Sequence, residues 1–382
     1  MIIGVLKERT EGETRVALVP QHIPQLKKKD YLVYLEKGAG LTAGYQDEVY
    51  LDKGAIVKDK ESIIKDADIL LTVRAGAAAG DGVELAKKLK AKQIIIGMME
   101  PYQKHEAFNH YKNQAVTAFS MERIPRTTRA QSMDVLSSMA NLAGYASSII
   151  AAQHSTKIFP MMMTAAGTIP PAQVFILGVG VAGLQAIATS KRLGAVVSAY
   201  DVRSEVKEQV QSLGAKFVEF DLESASGEGG YAKKMDEAYY EKQRLLMQDE
   251  LKTKDVVITT ANIPGKKAPT LITEAMVKTM QPGSVIVDLA AERGGNCALT
   301  EAGKTVTKYG VTIVGPLNLA ASFNHNASML YSKNITTFLN NLWKKDEQVI
   351  NFDDEIVAKT VLTHDNKILA EPLMDDLGDD KA

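Results

Sequence analysis

Residues Val174–Ala188 read VFILGVGVAGLQAIA. An apolar run enters Gly178, Gly180 and Gly183, spaced G-x-G-x-x-G, and a second apolar stretch follows. Such a pattern is a strand turning directly into a helix. Each glycine has its own task there. Gly178 makes the turn tight, Gly180 lets a pyrophosphate approach the backbone, and Gly183 lets helix and strand pack closely. The helix starting near Val181 offers unpaired N–H groups and a positive dipole end to phosphates. A second strand pattern, Val196–Tyr200, ends at Asp201, which stands 18 residues past Gly183. That is close to the roughly 20 expected of an acid that binds the adenosine ribose. The spacing alone is a weak signal; strand, glycines, helix and acid together predict a dinucleotide-binding unit.

Asp201 also selects the nucleotide. A carboxylate accepts hydrogen bonds from ribose hydroxyls and repels a 2′-phosphate, which favours NAD(H) over NADP(H). Arg203 complicates this, since an arginine nearby can serve a 2′-phosphate. Its alternative readings are a cover for the adenine face or a solvated charge at a helix start.

On both sides of this unit the chain alternates short apolar runs with amphipathic segments. Ile2–Leu6, Tyr31–Leu35, Ile69–Val73, Ile94–Gly97 and Val116–Phe119 read as strands, and Gln21–Lys29, Asp47–Lys53, Glu61–Ala67 and Val83–Leu89 as helices. A long helix is expected from about Gln131 to Ser155, and the alternation resumes with Val256–Thr260 and Val285–Asp288 as strands. Two βα series imply two Rossmann-like α/β domains with mostly parallel sheets, a cleft between them, joined by long helices. Residues 131–314 form the expected NAD-binding domain. Residues 1–130 form the other, completed by 315–382 through a helix pattern at Ala327–Leu342. Ser224–Tyr231, SASGEGGY, is either a solvated loop or a mobile lid.

Composition bounds the function. The net charge of −1 gives no basic field for nucleic acid or an anionic membrane. The single cysteine, Cys297, excludes an internal disulfide and fits a packing role. No charged residue lies between Lys157 and Lys191, yet Pro160, Pro170 and Pro171 and the glycines from Gly167 onward break that stretch. A membrane helix needs about 20 continuous apolar residues. The uncharged run Val135–Thr156 is rich in Ser, Ala and Gly and reads as a buried helix with a small-residue packing face, so no direct membrane insertion is expected. The six histidines show no metal-ligand spacing, and no metal site is expected.

The polar stretch Met121–Ser138, MERIPRTTRAQSMDVLSS, holds Arg123, Arg126, Arg129, Gln131 and Asp134 without a His, Cys or Lys. A dehydrogenase acting on an alcohol or amine must move a proton along with the hydride. Transfer between two nicotinamide rings moves none at the reacting carbons and needs orientation and water exclusion. The bland reading of the stretch is a helix N-terminus with a charged first turn.

Several stretches carry a resemblance: RAQSMDVLSS (129–138), NLAGY (141–145), FPMMMTAAGTIPPA (159–172), GVGVAGLQAIAT (178–189), GGYAKKM (229–235), TTANIPGKKAP (259–269) and PGSVIVDLAAERGGNC (282–297). With KERTEGETRVALVP near the start, the chain resembles the NAD(H)-binding domain of proton-translocating NAD(P) transhydrogenase over nearly its whole length. The resemblance implies a homodimeric, cytoplasmic subunit, peripheral to the inner membrane through a membrane-embedded subunit. It also implies an NADP(H)-binding domain on another chain, with Si/Re-specific hydride transfer coupled to proton translocation. By position, Arg126, Gln131 and Asp134 match a polar loop on the nicotinamide side, with Thr127, Thr128 and Arg129 in the same cofactor-contacting run. Ser137 matches a hydroxyl that contacts the nicotinamide part. Val181 and Asp201, Val202 and Arg203 match pyrophosphate and adenosine-ribose contacts. Gly230, Tyr231 and Met235 lie in the family's mobile loop, and Asn262 matches a contact after a later strand.

The more distant resemblance is to alanine dehydrogenase. Arg15 fits that family's substrate-carboxylate arginine and is expected to survive as an ion-pair partner of Glu8 or Glu11. The catalytic lysine is replaced by Arg74, and the histidine's place holds Met98, Met99 and Glu100. Arginine stays protonated and methionine transfers no proton. A non-enzymatic NAD-sensing module is the third reading.

Overall fold

The computed structural model describes residues 1–74, 82–102, 106–219, 237–263, 265–344 and 348–369. The first strands are β1 (Ile2–Val5), β2 (Leu32–Glu36), β3 (Ile56–Lys58), β4 (Ile69–Leu71), β5 (Ile94–Gly97) and β6 (Thr117–Ser120). A hairpin of β7 (Met162–Thr164) and β8 (Gly167–Ile169) follows. Then come β9 (Gln173–Leu177), β10 (Val196–Tyr200), β11 (Lys216–Phe217), β12 (Val256–Thr259), β13 (Val285–Asp288), β14 (Thr305–Lys308) and β15 (Val311–Val314). The last pair is β16 (Val361–His364) and β17 (Lys367–Ile368).

Two compact units result, Met1–Met139 with Ala321–Ala382, and Ala140–Ala320. In the first unit the sheet order is β17-β16-β6-β5-β4-β1-β2-β3, parallel from β6 to β3. β16 pairs antiparallel with β6, so the C-terminal segment supplies that end of the sheet. The strand order reverses at β1 and β4, so loops leaving their carboxyl ends diverge to opposite sides, as at the binding crevices of open α/β sheets.

In the second unit the order is β11-β10-β9-β12-β13-β15-β14, with only β14 antiparallel. Val174 and Ile176 of β9 join one apolar cluster, and Phe175 and Leu177 join another. The same alternation holds for Val256/Ile258 against Val257 and for Val285/Val287 against Ile286. The sheet is therefore buried on both faces, which explains the near-continuous apolar runs of its central strands. Its reversal lies between β9 and β12, where the glycine turn begins.

The long helix starts later than Gln131. Thr128–Met133 is a 3₁₀ segment, and the α-helix runs Val135–His154. Asp134 sets the boundary: its backbone is extended, and its carboxylate accepts bonds from the Ser137 N–H at 2.9 Å and the Ser137 hydroxyl at 2.6 Å. That is N-cap chemistry, which satisfies an otherwise orphaned helix donor.

By length and composition this helix could cross a membrane. It packs instead on the helix Val181–Arg192 through small residues. A Cβ added at Gly144 would lie 2.2 Å from the Ala182 carbonyl oxygen, Ser148 donates to the Ala186 carbonyl at 3.1 Å, and Ser190 donates to Ser148 at 3.0 Å.

Candidate dinucleotide site

The glycine turn leaves β9 with Gly178 at φ +91°, a conformation other residues adopt only with strain. Its carbonyl accepts the Thr260 hydroxyl at 2.8 Å, tying the turn to the end of β12. A Cβ on Gly183 would stand 2.0 Å from the Gly178 carbonyl oxygen, so helix and turn touch there. A Cβ on Gly180 would meet no protein atom within 4 Å. The two glycines thus do different work. Gly183 is needed by the protein's own packing, whereas Gly180 borders open space. Gly180 is also the N-cap of the helix beginning at Val181, and its side chain can cap nothing. The first-turn N–H groups, lacking intrahelical partners, are left to an external acceptor. A pyrophosphate fits such a cradle by charge and by room.

Asp201 follows β10, and its side chain is almost wholly buried. Its carboxylate accepts the Val179 N–H at 2.7 Å and three donors of Arg203, the backbone N–H, Nε and Nη2, each at 2.9 Å. Arg203 is therefore neither a solvated helix-start charge nor a cover for the adenine; it is held on Asp201, which raises the arginine's pKa. The acid doubles as a strut for the glycine turn through Val179. Val202 packs its side chain against the apolar cluster of Phe175 and Leu177.

Asn262 is exposed at the end of the β12 turn. Its neighbour Ala261 is fixed by Asn296, a fully buried residue absent from the sequence expectations. The Asn296 Oδ1 accepts the Ala261 N–H at 3.1 Å, and its Nδ2 donates to the carbonyls of Ala261 and Pro269, each at 2.9 Å. Nothing in local sequence distinguishes this asparagine from a loop polar residue; its role depends on tertiary pairing.

In the first unit, Arg126, Thr127, Thr128, Arg129, Gln131 and Ser132 are exposed, whereas Ala130 and Met133 are buried. The run is a polar rim fixed by two apolar studs. Arg129 makes a two-pronged pair with Asp354, Nη1–Oδ2 at 2.6 Å and Nη2–Oδ1 at 3.0 Å. Gly230, Tyr231, Met235 and the SASGEGGY loop lie outside the described residues.

The crevice at the carboxyl ends of β1 and β4 carries charges that are already engaged. Glu8 accepts the N–H groups of Val73 and Arg74 at 2.6 and 3.0 Å, and burial pushes its carboxyl up to about 7 against those bonds. Arg15 pairs with Glu13, not with Glu8 or Glu11: Nε and Nη2 each lie 2.6 Å from its carboxylate oxygens, and both side chains are buried. Two residues of spacing in an extended loop bring that pair together more readily than four or seven. Arg74 pairs with Glu100 at 2.7 Å. Glu122, raised by burial, accepts the N–H groups of Met99 and Glu100 at 3.0 and 2.9 Å. Cys297 is buried, and its thiol is pushed up to about 11 by that burial, which fits packing rather than nucleophilic chemistry. No cluster of three His, Cys, Asp or Glu residues suited to a metal occurs among the described residues.

Comparison with known proteins places these features in a family. Residues 4–143 match the N-terminal domain of alanine dehydrogenase/PNT, and residues 147–371 match the C-terminal domain. The first of the NAD(P) transhydrogenase alpha-subunit chains of Rickettsia prowazekii is 47% identical over 371 residues, covering 97% of this chain and 96% of its own. The crystal structure of transhydrogenase from Sinorhizobium meliloti superposes with a TM-score of 0.86 at 44% identity, over 96% of this chain and 100% of that one. The alanine dehydrogenase of Bacillus subtilis is 30% identical over 298 residues, 77% of this chain and 72% of its own.

Proposed function

This chain belongs to the alanine dehydrogenase/PNT family, on its transhydrogenase side, and we propose that it is the NAD(H)-binding subunit of a proton-translocating transhydrogenase. NADH supplies a hydride, and NADP⁺ on a partner domain takes it. Gly178, Gly180, Val181 and Gly183 hold the pyrophosphate. Asp201, Val202 and Arg203 hold the adenosine ribose, with Asn262 beside the cofactor. Arg126, Thr127, Thr128, Gln131 and Ser137 hold and orient the nicotinamide part, Asp134 setting the Ser137 hydroxyl. Gln131 faces both nucleotides, since its amide donates and accepts at once. Gly230 and Tyr231 complete the set. A membrane-embedded subunit couples the transfer to proton movement, and the chain is peripheral to the membrane through it.

The observation that carries this reading is the Arg74–Glu100 ion pair, which stands where amine chemistry would need a lysine and a histidine. A guanidinium held on a carboxylate is a poor proton donor or acceptor. Mixing the chain with an NADP(H)-binding partner domain, NADH and an NADP analogue should give turnover, whereas alanine with NAD⁺ should give none. Turnover with alanine would overturn the reading.

Because Asp201 faces the ribose, NADH is expected to bind more tightly than NADPH. Its carboxylate is partly neutralised by Arg203, so the preference should shrink, not vanish, in Asp201→Asn. Fluorescence titration giving equal or reversed affinities for the unmodified chain would contradict this.

The homodimer has its own support. Residues 161–170, which include β7 and β8, are all exposed, with Met163 77% accessible, and the helix Val135–His154 exposes Tyr145 and Ile149. An isolated two-stranded hairpin is marginal in water and needs a surface to pack on. Met163→Glu is expected to move the sedimentation coefficient from dimer to monomer; an unmodified chain already monomeric at micromolar concentration would rule this out.

A further inference from the structure

The exposed run containing Gln131 is a 3₁₀ segment of six residues, longer than the three or four such turns usually sustain. Its stability must come from elsewhere. One helix, Asn324–Asn341, provides two attachments. The Asn334 Nδ2 donates to the Ser132 carbonyl at 2.9 Å. The Asn341 Oδ1 accepts Arg129 Nη1 at 3.2 Å, and its Nδ2 donates to Asp354 at 3.3 Å. Asp354 in turn holds Arg129 and caps the following helix, Glu355–Thr360, by accepting the Ile356 N–H at 2.9 Å. Asn334 and Asn341 are seven residues apart and so share one helical face, about 10 Å along the axis. Gln131 lies between the two attached residues, Arg129 and Ser132, so its backbone is held on both sides.

We propose that Asn334 and Asp354 are positioning residues for hydride transfer: they fix the 128–133 turn, and with it the Gln131 amide, from the C-terminal segment. This rests on the reading that the turn orients the nicotinamide. Neither residue touches the cofactor. Their action is on orientation, where small displacements cost large rate factors, about a hundredfold for 1 Å. The Asn334 link is the stronger, because Asn334 is buried, whereas Arg129 is mostly exposed and its pair is weakened by solvent.

The chemistry at Asn334 allows a clean separation from stability. Its Oδ1 is buried without a hydrogen-bond partner. Ser132 is exposed, so water can serve its carbonyl when the asparagine is gone. Asn334→Leu should therefore fold with an unchanged or higher Tm. In the full chain mixed with an NADP(H)-binding partner domain, it should slow transfer about tenfold or more. The dissociation constant for NADH should stay within about threefold. Asp354→Asn keeps an N-cap oxygen for Ile356 but loses the charge that holds Arg129; a severalfold loss of rate, again without loss of NADH affinity, is expected. Unchanged transfer in both variants, or a rate loss matched by an equal loss of NADH affinity, would overturn the proposal. Gln131→Asn separates the two levels. If it slows transfer while Asn334→Leu and Asp354→Asn do not, only the positioning proposal fails; if it has no effect, the reading of the turn fails with it.

Discussion

Replacing Gln131 with asparagine should slow hydride transfer to an NADP analogue about a hundredfold while changing NADH affinity less than about threefold. The asparagine keeps the amide and withdraws it by one methylene, so a group that only filled space or solvated a loop would tolerate the change. Gln131 is exposed and lies between Arg129, bound to Asp354, and Ser132, bound to Asn334. Its backbone therefore cannot follow the shortened side chain. The loss should fall on the rate at saturating NADH, because the pyrophosphate and ribose contacts are on other residues. Rapid-mixing single turnovers, with NADH affinity from fluorescence, separate the two quantities. Equal loss in both would make Gln131 a binding residue only.

The second large effect contrasts two glycines three residues apart. Gly183→Ala puts a methyl group 2.0 Å from the Gly178 carbonyl oxygen, a backbone atom with no freedom to swing aside. Helix and strand must part, and a destabilisation of about 3 kcal/mol is expected, as for overpacked core sites. Gly180→Ala adds the same methyl group where no protein atom lies within 4 Å. Thermal stability should stay nearly unchanged, and NADH affinity should fall about tenfold or more as the methyl group meets the phosphate at the helix N-terminus. Thermal melts and NADH titrations of both variants check this. A Gly180→Ala protein that binds NADH normally would take the pyrophosphate away from this turn.

The fold was legible where burial is two-sided. Val174–Leu177, Val256–Thr259 and Val285–Asp288 are apolar at every position or nearly so, and flanking helices carry a 3.6-residue pattern. The elements that escaped sequence reading are short and lie at edges or in hairpins. β3 (Ile56–Lys58) is an edge strand of three residues. β14 and β15 join through Tyr309 and Gly310, both at positive φ, the backbone of a type I′ turn, but Tyr-Gly lacks the usual Asn-Gly signature. β7 and β8 bury nothing in their own chain and so show no alternation of apolar and polar residues.

For the candidate site, the turn at Gly178 to Gly183 was readable because its glycines answer backbone demands that local sequence records. The true start of the long helix was not, because Asp134 looks like a first-turn charge until its bonds to Ser137 make it a cap. Arg203, Arg15 and Arg129 were misjudged or incompletely judged for one reason: an arginine's partner is chosen in three dimensions. Asp201 and Glu13 lie two residues from theirs, and Asp354 lies 225 residues from Arg129.

The central claim is direct transfer between two nicotinamides without a proton-exchanging group in between. It is tested by mixing the chain with an NADP(H)-binding partner domain, NADH deuterated at the transferred position of C4, and NADP⁺ in ordinary water. The deuterium is predicted to appear in NADPH with no wash-out to solvent. Loss of the label to water would contradict the claim, and so would tight NADH binding with no transfer at all.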